Sequence, residues 1–184
     1  WRSVLLTFDD GYASYNDTME LLKGELISAI FFISLRKDKY WWDILSGLLL
    51  EKQHLKPIEL NKINYLLSDL GHQFQVEESI DSNLLKMLAE WDVTVNNFPF
   101  HRNKAFYLLA KQMEEIDFYK EGKFLNTITS LSNKRRDFSY LNEKHLIEHH
   151  EIGFHTTNHF NLSKLRYDDQ ISEIELGKKY LDEM

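Results

Sequence analysis

The chain has 184 residues, of which 43% are hydrophobic, so it can bury one ordinary core and we expect a single domain. Its 29 acidic and 22 basic residues give a net charge of -7, which argues against nucleic-acid or anionic-membrane partners because those surfaces require a basic patch. The absence of cysteine excludes disulfides and thiolate metal ligands. Charged residues interrupt the longest apolar stretch, 31–50, so no segment predicts a transmembrane span, which needs about 20 apolar residues.

The first part of the chain has the pattern of a parallel α/β unit. Residues 4–8 form a short apolar run before Asp9-Asp10-Gly11, which predicts a buried strand that enters a loop. Ser14-x-x-Asp17 predicts a helix start. Apolar side chains then recur on one helical face, at Tyr15, Met19, Leu22 and Leu26. Residues 29–33 are apolar throughout and predict a second strand, buried on both faces.

Residues 35–137 have a different pattern, which we interpret as a helical insertion within the domain. Apolar residues recur at helical spacing in four segments, namely 41–49, 58–70, 84–91 and 106–118. Proline and glycine are rare here, so no linker is evident, and Pro57 suits the first turn of the second helix. Trp41 and Trp42 are interpreted as a helix start that packs on the core rather than as a sugar-stacking platform. Lys134-Arg135-Arg136 predicts an exposed turn.

After residue 137 the α/β pattern resumes. Residues 141–149 predict a helix, 152–154 a short strand and 167–181 another helix. Only three core strands are predicted, and three parallel strands form a small open sheet rather than a closed barrel. The chain also begins at Trp1 and ends at Met184 within a helical pattern. We therefore expect a domain, 1–184, that is truncated at both ends.

Two strand-end segments carry side chains that suit a metal site. Asp9-Asp10-Gly11 follows the first strand, and His155 and His159 follow the last. The carboxyl ends of parallel strands lie at the same end of a sheet, so residues this distant in sequence can meet there. One carboxylate and two imidazoles are plausible zinc-type ligands that leave a position open for water, and the spare carboxylate could act as a base. Gly11 allows a turn with positive φ beside the acids.

These segments resemble the motifs of a known enzyme family. Thr7-Phe8-Asp9-Asp10-Gly11 resembles the first motif of the polysaccharide deacetylases, the NodB-like carbohydrate esterases. His155-Thr156-Thr157-Asn158-His159 resembles their second motif, His-Ser/Thr-x-x-His. The resemblance covers nearly the whole chain, with only a loose match in the insertion. It implies that Asp9 is the catalytic base and that Asp10, His155 and His159 bind a divalent metal, zinc.

The resemblance also implies a fold and an activity. The fold is α/β, the N-terminal part of a distorted (β/α) barrel of the NodB or glycoside hydrolase-deacetylase type, with a helical insertion. The activity is metal-dependent removal of N-acetyl groups from amino sugars of a polysaccharide or glycan precursor, so the partner is an N-acetylated carbohydrate. Phe160 replaces the usual proline after the second histidine. His150 replaces a common glycine, and because a left-handed cap costs more for histidine, we expect this turn to be either strained or shaped differently. The family's arginine motif and late histidine motif are not found before Met184, so no substrate-binding residue is assigned.

Two other functions remain open from the sequence. One is a catalytically inactive glycan-binding domain, and the other is a non-sugar amide or ester hydrolase on the same scaffold. A zincin protease is excluded because Thr156 stands where its glutamate would follow the first histidine. Within the second motif, Thr156 is expected to orient the loop through its hydroxyl, whereas Thr157 and Asn158 cap the next turn. No signal peptide is visible, and the compartment stays open between cytoplasm and cell envelope or secretion.

Overall fold

A computed structural model describes residues 3–37, 39–92, 97–115, 122–132 and 148–183. In chain order the strands are β1 (Thr7–Phe8), β2 (Ile30–Ile33) and β3 (Glu151–Phe154). The helices are α1 (Tyr15–Gly24), α2 (Trp41–Leu49), α3 (Pro57–Asp69), α4 (Ser82–Ala89), α5 (His101–Glu115), α6 (Gly122–Thr129) and α7 (Tyr167–Glu183). Over the described ranges the chain is thus a mixed α/β protein with a small parallel sheet.

The chain divides into two compact units. One unit combines Trp1–Asp38 with Lys134–Met184 and contains the sheet, and the other is Lys39–Asn133 and is helical where it is described. The helical unit lies inside the stretch that we interpreted as an insertion. Within the described residues, no helix has both the length and the apolar character that crossing a bilayer requires.

The three strands are parallel, with β2 in the centre of the sheet. Thr7 pairs with Ile30 and Phe8 with Phe31. On the other side, β2 pairs in register with β3 along its whole length, from Ile30 with Glu151 to Ile33 with Phe154. The loops that follow Phe8 and Phe154 therefore leave the sheet at the same end, that of the carboxyl termini of the strands, as the sequence predicts.

The core of the sheet unit lies between β2 and α1. Phe31 and Ile33 are fully buried, and the ring of Phe31 stacks on Phe8 with centroids 4.8 Å apart. Tyr15 and Met19 of α1 cover this face. Ile30 and Phe32 point to the other face of β2 and are only partly buried. The prediction of burial on both faces is thus confirmed fully for one face and partly for the other.

Three details of the first elements differ from the sequence prediction. The first strand is two residues long rather than the predicted 4–8, because only Thr7 and Phe8 pair with β2, and Val4 and Leu5 are exposed. Ser14 precedes α1 in a helical conformation, and its side chain makes no capping hydrogen bond. Leu26 lies beyond the end of α1 with a φ of 56° and is 85% exposed, so it does not continue the apolar face.

The helical unit has its own apolar core, built from α2, α3, α5 and α6. The predicted helices at 41–49, 58–70 and 84–91 are confirmed as α2, α3 and α4, and Trp41 packs on the core as expected. The fourth helix begins at His101, earlier than predicted, and α6 was not predicted. Residues 116–118, the basic run 134–136 and most of the helix predicted at 141–149 lie outside the described residues, and Glu148 and His149 form a turn.

Candidate metal centre

The two strand-end loops bring one carboxylate and two imidazoles together. Asp10, His155 and His159 each offer one ligand atom, and these atoms all lie within 4.8 Å of one another. The Oδ1 atom of Asp10 lies 2.7 Å from Nε2 of His159 and 3.5 Å from Nε2 of His155. The two imidazole rings meet edge to face, with centroids 4.8 Å apart.

The chemistry of this cluster fits a divalent metal ion. One carboxylate oxygen and two imidazole nitrogens are a ligand set that Zn²⁺ accepts in catalytic sites. The side chains of Asp10, His155 and His159 are 23%, 35% and 26% exposed. They are therefore sheltered enough to be held in place and open enough to admit an ion with water. Asp9 is exposed and lies next to the cluster in sequence, but it is not one of the three residues whose ligand atoms meet.

Left-handed backbone conformations are concentrated at this site. Asp10 and Gly11 have φ values of 78° and 71°, and Thr156 and His159 have values of 60° and 58°. The positive φ of Gly11 was expected. A non-glycine residue in this region costs roughly 1–3 kcal/mol unless its surroundings compensate, and a β-branched residue such as Thr156 is disfavoured most. The site is thus built from strained backbone that neighbouring contacts must hold.

Hydrogen bonds from two elements hold the histidine segment, 155–159. Glu173 of α7 accepts hydrogen bonds from the backbone N–H and the side-chain Nδ2 of Asn158, at 2.9 and 2.6 Å. Thr157 donates its hydroxyl to the backbone oxygen of Glu173 at 3.2 Å. Ser34, directly after β2, donates to the backbone oxygen of Thr157 at 3.3 Å. The prediction that Thr157 and Asn158 cap the next turn is therefore wrong. Asn161 does this, through hydrogen bonds from Ser163.

The sequence also led to predictions for Thr156 and His150, which lie near the site. The Oγ1 atom of Thr156 is buried without a hydrogen-bond partner, so its hydroxyl does not orient the loop as expected. The residues with positive φ in the described part of the chain do not include His150, so this turn is shaped differently from a left-handed glycine cap, which is one of the two outcomes that the sequence left open. His150 instead is buried, with Nε2 3.0 Å from the oxygen of Met19 and its ring against Phe31.

Glu173 of α7 and Ser34 after β2 contact the histidine segment and were not predicted from the sequence. Glu173 and Gly177 are the buried residues of α7, one helical turn apart. A buried acid needs a hydrogen-bond partner, but the burial of Glu173 is decided by tertiary packing, so no local sequence signal marks it. Ser34 follows an apolar strand and carries no signal either.

Comparison of the chain with protein-family models, with curated proteins and with solved structures finds no match. The resemblance to the NodB-like deacetylases is therefore a resemblance of the two sequence motifs alone. The structure adds that Asp10 of the first motif lies beside His155 and His159 of the second, at the carboxyl end of the sheet.

Proposed function

We propose that this chain is a metal-dependent hydrolase of the polysaccharide deacetylase type, which removes N-acetyl groups from amino sugars of a polysaccharide or glycan precursor. The observation that carries this proposal is the meeting of Asp10, His155 and His159 beyond the carboxyl ends of parallel strands. Two sequence motifs that resemble those of the family supply these residues. The proposed fold is the N-terminal part of a distorted (β/α) barrel, of which β1, β2 and β3 form the first strands.

In this proposal Asp10, His155 and His159 hold a divalent ion, and zinc suits their donor atoms. Such an ion, when bound, acts as a Lewis acid that acidifies water and polarises the amide carbonyl of the substrate. Asp10 supplies the negative charge of the ligand set. The imidazole Nε2 atoms already face its carboxylate, so little rearrangement is needed to present three ligand atoms to one ion.

Asp9 is the residue that we assign as the catalytic base. It lies next to the ligand Asp10 in the same loop and is exposed to solvent, so water and substrate can reach its carboxylate. In this role Asp9 accepts the proton that the attacking water loses. Gly11, with its φ of 71°, turns the chain directly after the two acids.

Metal binding tests the first half of the proposal. The protein should bind one equivalent of Zn²⁺ in isothermal titration calorimetry, and His155→Ala, His159→Ala and Asp10→Ala should each abolish this binding. His101→Ala removes a largely exposed histidine from α5 and is the matched control, which should bind as the unmodified protein does. Stoichiometric zinc retained by the His155→Ala/His159→Ala double variant would overturn the proposal, and the three side chains would then form only a hydrogen-bonded cluster.

Acetate release tests the second half. The zinc-loaded protein should release acetate from N-acetylglucosamine oligomers, and Asp9→Asn should retain zinc but lose turnover. Acetate release from simple acetyl esters but not from the oligomers would indicate a hydrolase with a non-sugar substrate instead. Binding of the oligomers without any release would instead indicate a glycan-binding domain.

A further inference from the structure

Glu173 is a buried carboxylate that the proposed chemistry does not use. It is 6% exposed, and both of its oxygens accept hydrogen bonds from Asn158. The backbone oxygen of Glu173 also accepts the hydroxyl hydrogen bond of Thr157. A single residue of α7 therefore holds the middle of the histidine segment through three hydrogen bonds. Two of these go to a carboxylate, and such charge-assisted bonds are the stronger kind.

The histidine segment is also tied to the end of β2. His155 donates its backbone N–H to the oxygen of Ile33 at 2.9 Å, which extends the β2–β3 pairing by one residue. Ser34 is fully buried and donates to the oxygen of Thr157. The segment is thus held between the end of β2 and the inward face of α7, so its conformation depends on both elements.

Close packing sets the distance between α7 and this segment. Gly177 lies one helical turn after Glu173, and the ring of Phe154 occupies the space where a Cβ atom at position 177 would lie. Phe154 is the residue directly before His155. The helix consequently lies directly against the last residue of β3, which fixes how far the Glu173 carboxylate reaches toward Asn158.

The segment needs such anchors because Thr156 and His159 are both in left-handed conformations, with φ values of 60° and 58°. Residues of these types prefer negative φ, and a free loop would relax toward it. That relaxation would rotate the imidazole of His159 away from Asp10, to which it is now joined at 2.7 Å. The hydrogen bonds to Asn158 lie between these two strained residues and oppose this change.

We propose that Glu173 is a positioning residue of the metal centre: by accepting both N–H groups of Asn158, it holds the histidine segment in the conformation in which His155 and His159 meet Asp10. This inference rests on the proposed metal function. Partners of metal ligands that lie in the next layer of side chains typically contribute a factor of roughly 10–100 in metal affinity. Glu173 differs from them because it acts on the backbone between the ligands.

The test is Co²⁺ binding to the full chain, measured by visible absorption and by calorimetry. Glu173→Gln places an NH₂ group where an oxygen accepted from Asn158, so two donors face each other, and Co²⁺ affinity should fall by roughly 10–100-fold. Glu175→Gln removes the same charge from an exposed position on α7 and should bind as the unmodified protein does. The double variant Asn158→Asp/Glu173→Gln restores a donor-acceptor pair at unchanged net charge, and it should recover much of the affinity and the Co²⁺ spectrum.

The outcomes separate this inference from the function on which it depends. If the unmodified protein binds Co²⁺ and Glu173→Gln binds it equally well, Glu173 is only structural and the inference fails, while the proposed function stands. A double variant no better than Glu173→Gln would also overturn it. If the unmodified protein binds no stoichiometric metal, both proposals fail. Where Glu173→Gln does not fold, Asn158→Ala removes the side-chain donor alone, and unchanged affinity in that variant overturns the inference.

Discussion

The carboxylate Oδ1 of Asp10 lies 2.7 Å from Nε2 of His159, and both residues have φ in the left-handed region. Four non-glycine residues in the described part of the chain have positive φ, and three of them, Asp10, Thr156 and His159, belong to this site. Strained backbone at a functional site is stable only when the surrounding structure holds it. The contact between Asp10 and His159 therefore depends on the surrounding sheet unit.

The neighbouring acids Asp9 and Asp10 should respond differently to the same substitution. Asp10→Asn keeps the size of the side chain, and asparagine tolerates the φ of 78°. It removes the charge of the ligand set, so Zn²⁺ affinity should fall at least about 100-fold while the melting temperature changes little. Asp9→Asn serves as the control and should leave the affinity unchanged in calorimetry. Equal losses in both variants would contradict the assignment of Asp10 as the ligand.

The adjacent threonines of the histidine segment form a second matched pair. Thr156 buries a hydroxyl without a hydrogen-bond partner, so Thr156→Val should leave the free energy of unfolding unchanged or raise it by about 1 kcal/mol. Thr157 donates its hydroxyl to Glu173, and Thr157→Val should lower that free energy by about 1 kcal/mol. Urea unfolding followed by circular dichroism measures both. A larger loss for Thr156→Val than for Thr157→Val would show that the Thr156 hydroxyl has a partner.

Gly177 should not accept a side chain. A Cβ atom at this position would overlap the ring of Phe154, so Gly177→Ala should destabilise the sheet unit by about 1–3 kcal/mol despite the better helix propensity of alanine. Because Phe154 precedes His155, the variant should also bind Zn²⁺ more weakly. Gly24→Ala, at the end of α1 with open space around its Cβ position, is the control and should be neutral or slightly stabilising. Gly177→Ala with unchanged stability and zinc affinity would show that α7 can move away from β3.

The helical unit should lose stability in acid through Glu59. Burial by itself raises the pKa of this carboxyl, but hydrogen bonds from Lys52 and from the backbone of Lys56, with the charges of both lysines, lower it below its usual value of 4.5. The unfolded chain lacks these contacts, so the carboxylate stabilises the fold above about pH 4.5. This stabilisation is lost as pH falls through the lower pKa of the folded protein.

Glu59→Gln should isolate this effect. At pH 7 the variant should be less stable by about 1–3 kcal/mol, because Lys52 loses a charged acceptor at 2.6–2.7 Å. The difference from the unmodified protein should shrink as the pH falls below 4.5. Three of the four tryptophans, Trp41, Trp42 and Trp91, belong to this unit, so tryptophan fluorescence during urea unfolding follows mainly this unit. Glu90→Gln, on an exposed acid, should show no such pH-dependent difference. If the free energies of unfolding of Glu59→Gln and of the unmodified protein differed by the same amount at every pH, the carboxylate would not be the cause of the difference.

Arg102 should contribute strongly to the stability of the helical unit. Its guanidinium is fully buried and donates to the backbone oxygens of Glu77 and Glu78 at 2.9 and 2.8 Å, and to that of Lys52. Burial lowers the pKa of this guanidinium, and the charge of Glu77 partly opposes the change. Arg102→Lys cannot reproduce the planar set of donors and should cost about 3–5 kcal/mol in urea unfolding. Lys111→Ala, exposed on the same helix, should cost under about 0.5 kcal/mol. Similar midpoints for both variants would contradict this role.

Much of the architecture follows from patterns that are local in the sequence. The apolar stretch 29–33 and the helical spacing in 41–49 and 58–70 predict β2, α2 and α3, since each pattern matches one element's periodicity. Strand length is less predictable. Residues 4–6 are as apolar as the rest of the first strand, but a strand extends only as far as its neighbour offers hydrogen bonds. The neighbour, β2, begins at Ile30, which pairs with Thr7 and donates its N–H to the oxygen of Leu6.

The sequence by itself determined the ligand types and their places at strand ends, because side-chain chemistry and the end of an apolar run are both local properties. Only the tertiary structure decided that Asp10 and His159 lie 2.7 Å apart and that their backbones are left-handed. It also decided that Asn158 is held by Glu173 rather than by the next turn. The physical reason is that backbone strain and hydrogen-bond partners are set by contacts between distant segments, here β2, the histidine segment and α7, and no local pattern contains them.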